Sequence, residues 1–208
     1  MTTKPVPTEF EGPGEPAWEI ATLFPAQGAW SEGDYLTLDT NRLIEYSAGR
    51  VEVLPMPTEK HQAIVAFLYM LLFALRQRVP GAVMFAPFPV RLWPGKFREP
   101  DLAFMLAAHA DRRYNEYWSG ADLVMEVVSG SAKDRQRDLV VKRAEYAQAG
   151  IPEYWSIDPE AESITVLRLA DGAYIEHGQY GRGAVATSAT LEGLQTPVDA
   201  VLDAASPH

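Results

Sequence analysis

Three ionisable residues stand where the local sequence gives them no ordinary structural role: Asp101, Glu126 and Lys142. Glu126 is the least ordinary. It lies inside Leu123-Val-Met-Glu-Val-Val, the most apolar strand-like run of the chain. An ionised carboxylate there costs several kcal/mol unless it is paired or bound to a metal. Strand alternation puts it on one face with Val124 and Val128. Asp101 follows Pro100 at the head of another strand and by the same alternation shares a face with Ala103 and Met105. Taken alone, an Asp at a strand start reads as a turn or cap residue. Lys142 comes three residues after Leu139 and four before Tyr146 on the following helix, which places all three on one stripe. If Leu139 and Tyr146 face the sheet, so does the ammonium group. The competing readings are a buried ion pair for Glu126 and a surface i, i+4 pair with Asp138 for Lys142.

Together the three residues make a chemical pattern. Two carboxylates on neighbouring strands can hold Mg²⁺ or Mn²⁺, which favour hard oxygen ligands and leave positions for water and phosphate. An adjacent Lys can orient a water or stabilise the charge that builds on a phosphoryl group.

The elements that must position these residues are legible in outline. Ser31-Glu-Gly-Asp-Tyr-Leu opens a short helix. Residues 43–54 hold two β-type runs around Ser-Ala-Gly and predict a hairpin. Thr58 is the N-cap of a helix running to about residue 78, with Glu59 in its first turn, Arg76 and Arg78 in its last, and Pro80-Gly81 as the stop. This helix is apolar almost all round, so cover on more than one side is expected. Residues 82–92 are β-like but interrupted by Pro87 and Pro89, which suits an edge strand or a bulge. Strands are expected over residues 99–106 and 122–129, the second central and covered on both faces. A helix over about 133–148, a strand over 153–157 and a hairpin over 164–177 follow. The tail reads as turns and short apolar runs. The order predicts an α/β domain with a mixed sheet, residues 18–208 forming one domain and residues 1–17, rich in Pro, Gly and Glu, a loose arm.

Composition bounds the function. The 208 residues are 47% hydrophobic and 22% charged, which excludes wholesale disorder. There is no cysteine, so a disulfide framework, a thiolate zinc site and a cysteine nucleophile are excluded, and a reducing cytoplasm is compatible. No apolar stretch follows Lys4, so no secretory signal is expected, and the apolar run over residues 63–75 is too short to span a bilayer. The 28 acidic and 18 basic residues leave a formal charge of −10, unfavourable for unspecific polyanion binding. The bases gather mid-chain, among them Arg91, Lys96, Arg98, Arg112, Arg113, Lys133, Arg135, Arg137, Lys142 and Arg143. Such a run is either a solvated face or a local landing surface for an anion.

The series Leu43-Ile-Glu…Gly-Arg-Val-Glu-Val-Leu-Pro-Met-Pro, His61-Gln, Glu99-Pro-Asp-Leu-Ala-Phe, Leu123-Val-Met-Glu-Val-Val-Ser and Asp138…Lys142…Tyr146-Ala…Ala-Gly-Ile-Pro-Glu-Tyr-Trp-Ser-Ile-Asp-Pro resembles the Uma2 family of restriction endonucleases, within the PD-(D/E)xK nuclease superfamily. The resemblance runs from about residue 30 to about residue 200. It implies a restriction-endonuclease-like αβββαβ core with a mixed sheet and additional β-hairpins at both ends, a divalent metal (Mg or Mn), and DNA as substrate. Carried over, Asp101 matches the Asp of the Pro-Asp motif and Glu126 the second acid, both as metal ligands. The superfamily's Lys would stand two residues after that acid, where this chain has Val128; Lys142 from the next helix matches the amine that replaces it. His61 matches the His-Gln pair opening the first long helix and is either a further candidate ligand or a hydrogen-bonding partner of a carboxylate. Glu45 matches an acid of the leading hairpin and is another, although a Glu in an exposed hairpin is ordinarily unremarkable. Glu153-Tyr-Trp reads as structural.

The expected function is metal-dependent hydrolysis of DNA phosphodiester bonds, with Asp101, Glu126 and Lys142 as catalytic residues. The alternatives are a catalytically silent binding or scaffold protein on the same fold and a hydrolase of another phosphate ester. No membrane partner is expected. A duplex has approximate two-fold symmetry, so a homodimer with two sites on one axis is expected.

Overall fold

The computed structural model describes residues 24–204 except Asn41 and Ser131, so the arm expected over residues 1–17 lies outside the described residues. Ser31 caps a short helix, Glu32–Leu36 (α1), in a reciprocal capping box with Asp34. The expected hairpin follows as Ile44–Ser47 (β1) and Arg50–Val53 (β2). Thr58 caps the long helix, Glu59–Leu75 (α2), its side chain accepting from the backbone N–H of His61 at 3.2 Å. Residues expected as one interrupted strand form two, Gly81–Phe85 (β3) and Val90–Trp93 (β4), which belong to different sheets. Pro87 and Pro89 between them supply no N–H for a continuous ladder.

The remaining strands are Lys96–Arg98 (β5), Leu102–Leu106 (β6), Trp118–Ser119 (β7), Leu123–Val127 (β8), Glu153–Asp158 (β9), Ser163–Ala170 (β10) and Ala173–Gly181 (β11). One sheet has the order β2-β1-β5-β4-β7 and the other β11-β10-β9-β8-β6-β3. The six-stranded sheet is mixed: β8 and β9 are parallel, the other pairs antiparallel. A parallel pair needs a crossover. Residues 132–148 supply it as Ala132–Gln136 (α3), a π-helical turn over Arg137–Lys142, and Arg143–Gln148 (α4). Read through this sheet, the order α2, β3, β6, β8, crossover helix, β9 is αβββαβ. As expected, β3 is an edge strand and β8 a central one buried at every position.

Alternation along β6 and β8 divides the core. Leu102, Phe104, Leu123, Met125 and Val127 meet Ile64, Leu68 and Leu72 of α2. Ala103, Met105 and Val124 face the other way, toward Tyr146 of α4 and Tyr154. Full burial of Ile64, Leu68 and Leu72 contributes about 1.5–3 kcal/mol each. The long helix is not covered all round: Met70 and Phe73 are exposed. The tail is more ordered than its Gly and Thr content suggests. Val185–Thr187 (β12) pairs with Gln195–Pro197 (β13), and Val198–Asp203 (α5) sends Val198, Val201 and Leu202 into the α2 side of the core.

Glu153 ties that tail to the sheet. Its buried carboxylate accepts from the Trp155 indole N–H at 2.5 Å, the Ser188 and Thr190 hydroxyls at 2.8 and 2.6 Å, and the backbone N–H groups of Ala189 and Thr190 at 3.1 and 2.8 Å. Truncation strands several buried donors at once. Glu153→Ala is expected to lose about 3 kcal/mol or more of stability. Urea denaturation checks this, and a loss below about 1 kcal/mol would show that the tail is held by other contacts.

Candidate active site

Strand β8 brings Glu126 to the face that carries Val124, beneath the crossover helix. Asp101 immediately precedes β6 and keeps the phase of Ala103 and Met105, so both acids emerge on the same side. The β6–β8 register pairs Leu102 with Met125, which sets Asp101 beside the next residues of β8. Asp101 Oδ2 accepts from the Val127 backbone N–H at 2.7 Å and lies 3.1 Å from His61 Nε2. Asp101, Glu126 and His61 line a cleft of about 420 Å³ together with Asp138 and Lys142.

Lys142 is 3% exposed. Its Nζ lies 2.9 Å from Glu126 Oε2 and 3.6 Å from both Glu45 Oε1 and Asp138 Oδ1. The other Glu126 oxygen accepts from the Tyr146 hydroxyl at 2.5 Å. The buried stripe of the crossover helix is thus Asp134, Asp138, Lys142 and Tyr146, while Leu139 is only half-buried. The expected stripe had the right lysine and tyrosine but the wrong third member. In a regular α-helix each four-residue step drifts by about 40°, so four such residues fan around the axis. The wider π turn over Arg137–Lys142 takes up the drift and keeps all four toward the sheet.

The charges respond to one another. Burial works against the Lys142 ammonium, but Glu126, Glu45 and Asp138 outweigh it and hold its pKa well above the ordinary lysine value. Burial pushes the Glu126 carboxyl up to about 8; Lys142 opposes this, and Asp101 and Asp138 reinforce it. One ammonium shared among several carboxylates does not ionise them all cheaply, and the upward shift at Glu126 is where that cost shows. Burial also opposes a charged His61, yet its bond to Asp101 raises its pKa above the usual histidine value.

Glu45 is buried, not exposed with its hairpin. β1 pairs with β5 on its second edge, and Tyr46 enters an aromatic cluster with Tyr35 and Phe97 while Glu45 turns the other way. There it meets Arg98 Nη1 and Lys142. Most bases of the mid-chain run are likewise engaged by acids: Arg91 with Glu32, Lys96 with Glu145, Arg112 with Asp122, Arg135 with Asp158, and Arg137 with Asp134 and Asp138. Much of the run's charge is therefore compensated within the fold. Asp138, Tyr146, Arg98 and Arg137 join this cluster, though the sequence offers Asp138 only as a surface partner of Lys142, Tyr146 only as its stripe neighbour and the two arginines only as members of the basic run. The i, i+4 series Asp134, Asp138, Lys142, Tyr146 was the signal for two of them.

Among the described residues no three His, Asp or Glu side chains converge in metal-ligand geometry. The donor set still fits a hard divalent cation. Mg²⁺ is ordinarily held by one or two carboxylates, with water and phosphate completing its shell. Asp101 and Glu126 line one cleft and would be such a pair, and among the described residues the buried Nδ1 of His61 has no hydrogen-bond partner.

A family model described as "Putative restriction endonuclease", Uma2, matches residues 33–201. No curated protein matches the chain. Among solved structures the fold is similar to the crystal structure of a "putative nuclease belonging to DUF820" from Anabaena variabilis. The TM-score is 0.67 and the identity 16%, over 85% of this chain and 99% of that one. At that identity the likeness establishes a shared fold.

Proposed function

The chain belongs to the Uma2 family, and from that premise we propose that it is a Mg²⁺- or Mn²⁺-dependent endonuclease hydrolysing DNA phosphodiester bonds. The observation that supports this most is the 2.9 Å contact of Lys142 Nζ with Glu126 Oε2, in a cleft that Asp101 also lines. In this reading Asp101 and Glu126 hold the cation, with His61 beside Asp101. The cation would polarise a phosphoryl oxygen and acidify a water. Lys142 places a fixed positive charge next to the scissile phosphate, where negative charge builds during displacement. Tyr146 fixes the orientation of the Glu126 carboxylate through its hydroxyl.

The −10 charge favours a second reading, a nuclease fold that binds without turnover. Wild type and Glu126→Ala assayed side by side with Mn²⁺, on plasmid DNA and on a small phosphate ester, separate the readings. Plasmid nicking or cleavage by wild type is expected, abolished by EDTA and by Glu126→Ala. An inert wild type supports the binding reading, and turnover of the ester alone points to a different hydrolase.

Acting on DNA, the protein is placed in the cytoplasm by this reading and works there as a homodimer, since cutting both strands of a duplex is simplest with two sites on one axis. Light scattering at micromolar concentration is expected to give the mass of two chains; a monomer mass counts against the dimer.

A further inference from the structure

Lys142 has a choice of partners. Its ammonium bonds Glu126 at 2.9 Å, while Glu45 and Asp138 each stand at 3.6 Å. All four side chains are buried. In such surroundings an ammonium settles on the carboxylate whose charge is least compensated. The two rejected acids each have an arginine of their own. Arg98 Nη1 bonds Glu45 Oε2, and Arg98 Nε bonds Glu145 Oε2 at 2.6 Å, with Lys96 2.7 Å from the other Glu145 oxygen. Arg137 Nε bonds Asp138 Oδ1 at 3.2 Å, and its Nη1 bonds Asp134 at 2.7 Å. Glu126 is met by Lys142 and by the neutral Tyr146 hydroxyl.

We propose that Arg98 and Arg137 are positioning residues: by compensating Glu45 and Asp138 they direct the Lys142 ammonium onto Glu126. The catalytic consequence rests on the nuclease reading above; the position of Lys142 does not. Arg137 lines the cleft and can meet a substrate directly. Arg98 lies behind Glu45, in the wall of a separate depression, so it carries the test.

Removing Arg98 leaves Lys142, 3.6 Å away, as the nearest ion-pair partner of Glu45, with Arg137 acting on it from further off and held by Asp138 and Asp134, and the ammonium is drawn off Glu126. Arg98→Met is expected to lower kcat on a short DNA duplex at least tenfold. KM and the Mn²⁺ Kd from calorimetry should stay within about threefold. Arg98→Met/Glu45→Gln removes the competing charge as well, and its kcat should rise at least fivefold above that of Arg98→Met. A network that only supports the fold would instead make the double variant equal or worse, and that outcome overturns the proposal. Glu145→Gln supplies the control. It breaks the same network but leaves Arg98 on Glu45, so kcat should stay near wild type; a loss equal to that of Arg98→Met would show that network integrity is what matters.

Arg98→Met takes the arginine from the buried Glu45 and from the half-buried Glu145, which keeps Lys96. Should circular dichroism show it unfolded, the crystal structure of Arg98→Lys decides. A lysine head is compact and does not span Glu45 and Glu145 together as the guanidinium fork does. If the introduced amine takes Glu145, Lys142 should be found on Glu45; if it takes Glu45, Lys142 should remain on Glu126. The opposite pairings overturn the proposal. An inactive wild type would refute the nuclease reading, while these structures still report where Lys142 goes.

Discussion

A Lys142→Met variant is expected to lose cleavage almost completely and to be markedly less stable without metal. The activity loss follows from position. The ammonium is fixed 2.9 Å from Glu126, in a cleft where its charge is little screened. Removing one such preorganised group costs on the order of 10²–10³ in kcat. The stability loss follows from its surroundings. Glu126, Glu45 and Asp138 all face the ammonium, and removing one partner of a buried ion pair costs about 3–5 kcal/mol. Methionine fills the volume but compensates no charge. A divalent cation held by Asp101 and Glu126 would restore part of what is lost. Mn²⁺ should therefore raise the melting temperature of Lys142→Met more than that of wild type. Lys142→Arg should also be poor, because a planar fork replaces a compact charge among three converging acids. Two measurements decide: single-turnover cleavage under saturating Mn²⁺, and melting curves with and without it. A variant that cleaves at the wild-type rate ends the assignment of Lys142.

Much of this site was legible because apolar sequence makes charge conspicuous. Glu126 stands out within Leu-Val-Met-Glu-Val-Val, and strand alternation then fixes its face. The long helix could be read from Thr58 to its Pro-Gly stop because capping is local chemistry. What escaped depends on tertiary contact. Nothing local separates Asp138 from a surface partner of Lys142; only the π turn turns both inward. Glu45 looks like any hairpin acid until β5 closes on the free edge of β1. Residues 82–92 look like one strand until two prolines hand the chain from one sheet to the other. The basic run can be read as a solvated face or a landing surface, because sequence spacing does not reveal that Glu32, Glu145, Asp122 and Asp158 come from other elements to meet it.

The second large effect concerns the carboxylates themselves. Mn²⁺ is expected to raise the melting temperature of the wild type, and Glu126→Gln is expected to abolish that rise without unfolding the protein. A ligand at about 100 times its Kd stabilises the folded state by about 2.7 kcal/mol. For a chain of this size that corresponds to roughly 5–10 °C. Glutamine keeps the shape of Glu126 and can still accept from the Tyr146 hydroxyl, now at 2.5 Å from Oε1. It surrenders the bond from Lys142, but that ammonium retains Glu45 and Asp138, each 3.6 Å away. Burial raises the Glu126 carboxyl's pKa, so losing the charge here also removes a desolvation cost from the metal-free protein. The metal-free Glu126→Gln variant should thus melt within a few degrees of wild type. Asp101→Asn should behave alike, since its amide oxygen can still accept from the Val127 N–H. The two substitutions together should cost no more metal response than either alone, because one cation needs both oxygens. A wild type that shows no shift with Mn²⁺ or Mg²⁺ up to millimolar concentration would refute the two-carboxylate site. A Glu126→Gln protein that keeps the full shift would place the cation elsewhere in the molecule.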